Sequence, residues 1–258
     1  MGMNNKLLRP RASGFNPKSI SGLWAWWDAG DDATITTDTG VSAWADKSGN
    51  GRTASQAVGN NQPARNTTIN GRSVLTFDGT NDTLDFTGAA RTVETMFAVC
   101  QMRDEAADTA NTGRYGTVLG TVGASRGLQL RAQYTVSGGS FQIDAVFSGF
   151  TSGTNRIIKT ITYSPANGDC PLAVYAIVRN GGSGFEGFVN KTSVGVATTS
   201  ESATLDRIGR SSTATSYFIG QRAEILIYDK AVLSAERLAI TNWLIRRWGI
   251  TERTYTVS

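Results

Sequence analysis

Short runs of alternating apolar and polar residues dominate the chain. Leu128-Gln129-Leu130-Arg131 and Phe141-Gln142-Ile143-Asp144 repeat every second residue, the period of a strand with one face in water. Leu23 to Asp28 carries aromatic or aliphatic residues on both faces, Trp24 and Trp26 on one, Leu23, Ala25 and Trp27 on the other. Such a strand is expected to be covered on both sides. Thr92 to Met102 is almost wholly apolar over its second half and predicts a central strand. Further strands are predicted at Val41 to Trp44, Arg72 to Phe77, Gly116 to Val122, Leu128 to Tyr134, Phe141 to Phe147, Arg156 to Tyr163, Leu172 to Val178 and Gly184 to Val189, punctuated by Gly, Asn and Ser. Residues 29–42, 46–70 and 103–115 read as connections.

One stretch has the helical period instead. Ile240, Trp243, Leu244 and Trp248 fall at i, i+3, i+4 and i+8, one apolar stripe. Ser234 is the expected N-cap, with Glu236 in the first turn, Arg246 and Arg247 in the last, and Gly249 as the stop. About a dozen short strands and a late helix are what a sandwich of two antiparallel sheets needs. A chain of 258 residues with 29 glycines and 5 prolines suits one such domain.

Charge singles out the N-terminus. Lys6, Arg9, Arg11 and Lys18 lie within the first 20 residues without an acid, and they account for the entire formal net charge of +4. Arg9-Pro10-Arg11 and Asn16-Pro17 oppose regular helix there. Residues 1–19 are therefore expected to form a basic arm, with Leu7, Leu8 and Phe15 as apolar anchors, and residues 20–258 to form the domain. The arm is read either as a tether that orders on a partner or as a strap packed on its own sandwich. A formally neutral body argues against a nucleic-acid-binding face. No run of about 18 apolar residues is present, so no membrane span is expected. No apolar segment follows the N-terminal basic residues, so no secretory signal is expected.

The chain contains no histidine, which removes His-based triads and His metal sites. Its seven glutamates, Glu94, Glu105, Glu186, Glu201, Glu224, Glu236 and Glu252, are scattered singly, whereas glycoside hydrolysis needs two carboxyls set across one sugar. Cys100 lies in an apolar run and is expected to be a buried thiol. Cys170 precedes Pro171, and pairing of the two is not required. Asp46, Ser48 and Asn50 place oxygen side chains at alternate positions of a glycine-rich turn, the first half of a calcium-loop pattern. The position where a bidentate Glu would stand is Ala57. The competing reading is a turn held by side-chain-to-backbone hydrogen bonds. The tryptophans are expected in the core, which leaves Tyr115, Phe150 and Tyr217 as candidate sugar-stacking aromatics.

Four segments together carry a resemblance: Leu23-Trp24-Ala25-Trp26-Trp27-Asp28, Trp44-Ala45-Asp46-Lys47-Ser48-Gly49-Asn50-Gly51, Val74-Leu75-Thr76-Phe77-Asp78-Gly79-Thr80-Asn81-Asp82, and Tyr217 to Arg237. They resemble the laminin-G-type jelly-roll domains of the concanavalin A-like lectin and glucanase superfamily. The resemblance implies an all-β, two-sheet antiparallel jelly roll with one C-terminal helix. It also implies possible calcium, and a structural hydrogen-bonding role for Glu224 in the acidic place before the last strand. The opening Leu7 to Phe15, leading into a Trp-Trp-Asp strand, is similar to the start of phage-encoded members. The expected function is thus a non-catalytic phage virion protein (capsid decoration, head fibre or tail adhesin), needing no cofactor and made in the host cytoplasm. Its expected partners are capsid or tail proteins, cell-surface glycans and further copies of itself, without nucleic acid or membrane. The alternatives are an extracellular carbohydrate-binding module and a divergent glycoside hydrolase. No glycan-binding residue is assigned.

Overall fold

A computed structural model describes residues 14–86, 93–102, 115–120, 127–132, 140–146, 156–164, 171–180, 184–198, 205–210 and 217–258. The strands are β1 (Leu23–Asp28), β2 (Ile35–Thr37), β3 (Val41–Trp44), β4 (Ala54–Ser55), β5 (Ala64–Ile69), β6 (Arg72–Asp78), β7 (Leu84–Phe86), β8 (Thr95–Met102) and β9 (Tyr115–Gly120). They continue with β10 (Gly127–Ala132), β11 (Ser140–Val146), β12 (Arg156–Ser164), β13 (Ala173–Arg179), β14 (Gly184–Val189), β15 (Thr192–Thr198), β16 (Arg207–Ile208), β17 (Ile219–Tyr228) and β18 (Thr254–Val257). The helix α1 spans Ser234–Trp248.

All pairings are antiparallel, in two sheets. The first runs β15-β14-β13-β8-β17-β6-β5, and the second runs β18-β12-β11-β10-β9-β16-β7-β4-β3-β2. The ten-residue β17 is long enough to hold two partners on one edge. β6 pairs with its first half and β1 with its second, while β8 runs along the other edge. The expected antiparallel sandwich with one C-terminal helix is thus the observed fold. The connection expected over residues 46–70 instead contains β4 and β5, and β15 and β18 are additional strands.

Two apolar layers follow from strand alternation. Trp27, Trp44, Leu75, Phe77, Met96, Ala98, Tyr175, Phe185 and Ile225 lie between the sheets. The outer face of the first sheet is also covered, with Trp26, Phe97, Val99, Val174 and Leu226 packing beneath Ile240, Leu244, Ile245 and Trp248 of α1. That is why β8, β13 and the second half of β17 read as continuous apolar runs. Cys100 is a buried free thiol, pushed up to about 12 by burial; Cys170 lies outside the described residues.

Strict alternation fails at several irregularities, and those in β1 and β17 shape the core. In β1 the register shifts between Leu23 and Ala25, so Trp24 joins Ala25 and Trp27 between the sheets, while Leu23 and Trp26 face the helix side. In β17 a shift between Arg222 and Glu224 turns these two residues to opposite faces.

The N-cap of α1 is Leu233 and not Ser234. Leu233 holds extended backbone angles, and Glu236 reaches back to accept its N–H at 2.8 Å. At the other end Gly249 adopts a left-handed conformation (φ 58°), and Ile250 donates back to the Ile245 carbonyl. The tight β5–β6 turn, with Asn70 and Gly71 both at positive φ, is aimed at this end. Asn70 donates to the Trp248 and Gly249 carbonyls, and Arg72 to that of Arg247. A hairpin tip thereby satisfies helix carbonyls that have no partner within the helix.

Candidate functional site

The Asp46 turn, expected as a calcium candidate, is organised around the carboxylate itself. Asp46 Oδ1 accepts the backbone N–H groups of Trp26 (2.9 Å) and Ser48 (2.8 Å). Its Oδ2 accepts the Ser48 hydroxyl (2.7 Å) and the Arg52 N–H (3.1 Å). Asn50 turns its amide nitrogen toward the Leu23 and Trp24 carbonyls. The three predicted residues do come together, but four donors already point at the carboxylate. A cation needs converging oxygens with free lone pairs. The residues do not fit calcium; they fix the turn to β1. Among the described residues no group of three acidic, Cys or His side chains forms a metal cluster. The expected result is that Asp46→Ala lowers stability by roughly 2–3 kcal/mol, leaving buried N–H groups unpaired. Neither calcium nor a chelator should move the melting temperature of the wild-type protein by more than about a degree in thermal scans.

Two carboxylates, Asp28 and Glu224, stand directly opposite each other across β1 and β17. Both are fully buried. Glu224 Oε1 accepts the Trp26 indole N–H (2.7 Å), and Oε2 accepts the Trp248 indole (2.6 Å) and Arg247 Nε (3.0 Å). Asp28 Oδ1 accepts the Gly30 N–H, while Oδ2 accepts Lys47 Nζ (2.9 Å) and the second arm of Arg247 (2.5 Å). Lys47 also bridges to Asp31. Burial and the neighbouring Asp28 push Glu224 up to about 7, against the opposing pull of Arg247 and the two indoles. Every partner is a donor, and the carboxyls lie beneath the helix without a path to a substrate. This is a clamp joining β1, β17, α1 and the Lys47 turn. The structural role expected for Glu224 is what the geometry shows, although it stands inside the last long strand and not before it.

The N-terminal candidates divide. Lys6, Leu7, Leu8, Arg9 and Arg11 lie outside the described residues. Phe15, expected as a partner anchor, instead packs on Trp243 of α1 at 5.8 Å between ring centroids. It is drawn there because Trp243 stands at the rim of the helix-side core, only half covered by the sheet. Lys18 lies exposed in a one-turn 3-10 helix whose Pro17 carbonyl accepts the Tyr228 hydroxyl. Residues 14–20 are therefore part of the folded body. Of the aromatics, Tyr217 lies beneath the Arg210 guanidinium at 4.8 Å; Phe150 lies outside the described residues.

A groove missed in the sequence opens where α1 starts. Its cavity measures about 310 Å³ and is lined by the end of β13 (Val178, Arg179, Asn180), by Glu186 and Phe188 of β14, and by Ala231 to Ser234 and Arg237. The β13–β14 register sets Glu186 opposite Val178 and Phe188 opposite Ala176, so one face of the hairpin supplies both an acid and an aromatic. The lip is fixed by Thr95, whose hydroxyl donates to the Lys230 carbonyl and accepts the Val232 N–H. Arg179 pairs with Glu94 at 3.6 Å. Arg237 lies 3.8 Å over the Phe188 ring, and burial lowers its pKa while Glu186 raises it. One terminal nitrogen of Arg237, Nη1, is buried without a hydrogen-bond partner among the described residues. Glu186 accepts the Ser193 hydroxyl at 2.5 Å. Leu233 stands at the rim, 68% exposed. Polar groups make up the larger part of the lining, with Val178, Phe188 and Val232 as the smaller apolar part; the cavity is at the small end of the range for small-molecule sites.

Comparison with known proteins agrees with this architecture. The chain is similar in structure to the ligand-binding domain of botulinum neurotoxin serotype D in complex with N-acetylneuraminic acid (TM-score 0.55, 12% identity), over 89% of this chain and 54% of that one. It is also similar to the Trypanosoma rangeli sialidase in complex with sialic acid (TM-score 0.56, 12% identity), over 90% of this chain and 34% of that one. The likeness is one of fold. The chain spans about half the length of the toxin domain and a third of the sialidase. No protein-family model and no curated protein matches the sequence.

Proposed function

We propose that the chain is a non-catalytic carbohydrate-binding β-sandwich whose site is the groove between β13, β14 and α1. The observation that carries this reading is the lining: a carboxylate, a guanidinium and a serine hydroxyl set above Val178, Phe188 and Val232. A sugar presents hydroxyls at its edge and C–H groups on its faces, and both need partners at once. The fold likeness to toxin and sialidase structures solved with sialic acid supports the class. Hydrolysis would need a carboxyl pair open to substrate, and the pair at Asp28 and Glu224 is buried and occupied by donors.

Glycan-array screening followed by calorimetry tests the reading. Ser234 is exposed at the groove. Ser234→Trp is therefore expected to weaken glycan binding at least tenfold while changing stability by no more than about 0.5 kcal/mol, as surface substitutions do. Wild-type affinity in that variant would place the site elsewhere. The laminin-G-type and virion readings extend the proposal. In them, the basic residues Lys6, Arg9 and Arg11 tether the domain to an acidic surface of a particle. Removing residues 1–13 should then leave the melting temperature unchanged and abolish incorporation into particles. Incorporation at the wild-type level would dismiss the tether.

A further inference from the structure

We infer that the groove is specific for sugars bearing a carboxylate, with Arg237 as the residue that reads it; this rests on the carbohydrate-binding reading of the same groove. Arg179 is engaged by Glu94. One oxygen of Glu186 is taken by the Ser193 hydroxyl. Arg237 differs in forming no ion pair among the described residues: its guanidinium is fixed in place by stacking on Phe188, and its Nη1 is buried without an acceptor. A partly desolvated guanidinium with an unused N–H is held ready for an oxygen anion. Guanidinium and carboxylate match as planar forks, which gives geometric selection beyond charge alone.

Glu186 sets the other half of the specificity. Its charge partly offsets the burial that lowers the Arg237 pKa, but it does not close an ion pair with Arg237. An acceptor-only carboxylate in the groove would repel a bare anion. It favours a ligand that also offers a hydroxyl proton. A ligand satisfying both residues carries a carboxylate at one end and hydroxyls at the other, which is the chemistry of a sugar acid. A neutral sugar would leave the Arg237 N–H unpaired, and a simple carboxylate would leave Glu186 facing an anion. The apolar floor of Val178 and Val232 is left for the C–H face of the ring.

The test compares glucuronic acid, its methyl ester and glucose as probes, by calorimetry and by NMR of the full chain at neutral pH. One charge-assisted hydrogen-bond pair is expected to favour the acid over its methyl ester by about tenfold or more. Arg237→Gln should reduce that preference to within roughly twofold while the neutral sugar still binds. Arg237→Lys, which keeps the charge but not the fork, should fall between. Glu186→Gln should weaken the acidic and neutral sugars alike. Equal affinity for acid and ester, or an acid preference that survives Arg237→Gln, overturns the assignment but leaves carbohydrate binding standing. If none of the three probes perturbs groove resonances while other glycans bind, the inference fails alone. If no glycan binds at all, the underlying reading fails with it.

Discussion

Glu224→Ala is expected to destabilise the protein by about 3–5 kcal/mol, the usual cost of removing one partner from a buried ionic cluster. The reason is the number of groups that depend on this carboxylate. Without it, the buried indole N–H groups of Trp26 and Trp248 lose their acceptor, and Arg247 retains only Asp28. For a chain of this length the loss corresponds to a fall in melting temperature on the order of 10 °C. The clamp also sets a pH dependence. Burial and Asp28 raise Glu224 to about 7 in the folded state, so the native protein holds this proton more tightly than the unfolded chain does. The contribution of Glu224 to stability is then fully present below the unfolded pKa of 4.5 and is lost as pH rises through about 7. Thermal denaturation of the wild type should show the melting temperature falling between about pH 5 and pH 8 from this group. Glu224→Gln should be flatter over that range, although less stable overall, because its amide nitrogen would face donors. An unchanged pH slope in Glu224→Gln would assign the dependence to another group.

The clamp explains why the fold was more legible in the sequence than its sites. Two-residue alternation and the 3.6-residue stripe of α1 are local signals, and they located β1, β3, β6, β8, β10 to β14 and the helix. The elements β4, β16 and β18 are short or largely polar, so no apolar period marks them. Local signals also miss irregular backbone. Arg222 and Glu224 are two residues apart and would share a face in a regular strand. The shift at Ala223 sends the arginine between the sheets and the glutamate under the helix. Asp46 shows a related limit. Oxygen side chains at alternate positions suggested a cation, but the backbone N–H groups they bind are not written in side-chain pattern. The groove was invisible for a simpler reason. Glu186 and Arg237 are separated by 51 positions along the chain, and only the crossing of α1 over the β13–β14 hairpin brings them together.

The second large effect is expected at Arg222, on the opposite face of the same bulge. Its guanidinium is fully buried between the rings of Phe218 (3.9 Å) and Phe77 (4.8 Å). It bridges the sheets by donating Nη1 to the Val118 carbonyl (2.5 Å) and Nη2 to that of Thr117 (2.6 Å). Burial lowers it to about 9, so it is still protonated at neutral pH. Its Nε is buried without a partner, and among the described residues it forms no ion pair. Two terms therefore oppose each other: desolvation of a cation against aromatic stacking and two charge-assisted bonds. Shape decides which substitution is tolerated. Arg222→Ala removes the bridge and leaves a cavity between two phenyl rings, so a loss of about 3–5 kcal/mol is expected. Arg222→Met keeps most of the volume and removes the buried charge, an exchange that is often close to neutral. The Met variant should therefore be more stable than the Ala variant by at least about 2 kcal/mol in denaturant titrations. Equal losses in the two would mean that the carbonyl bridge, and not the filled volume, holds the sheets together at this point. Arg222→Lys separates the remaining contributions. It keeps the charge, but an ammonium cannot span two carbonyls while stacking on both rings. It is expected to be less stable than Arg222→Met, because it retains the desolvation cost and loses the geometry that offsets it.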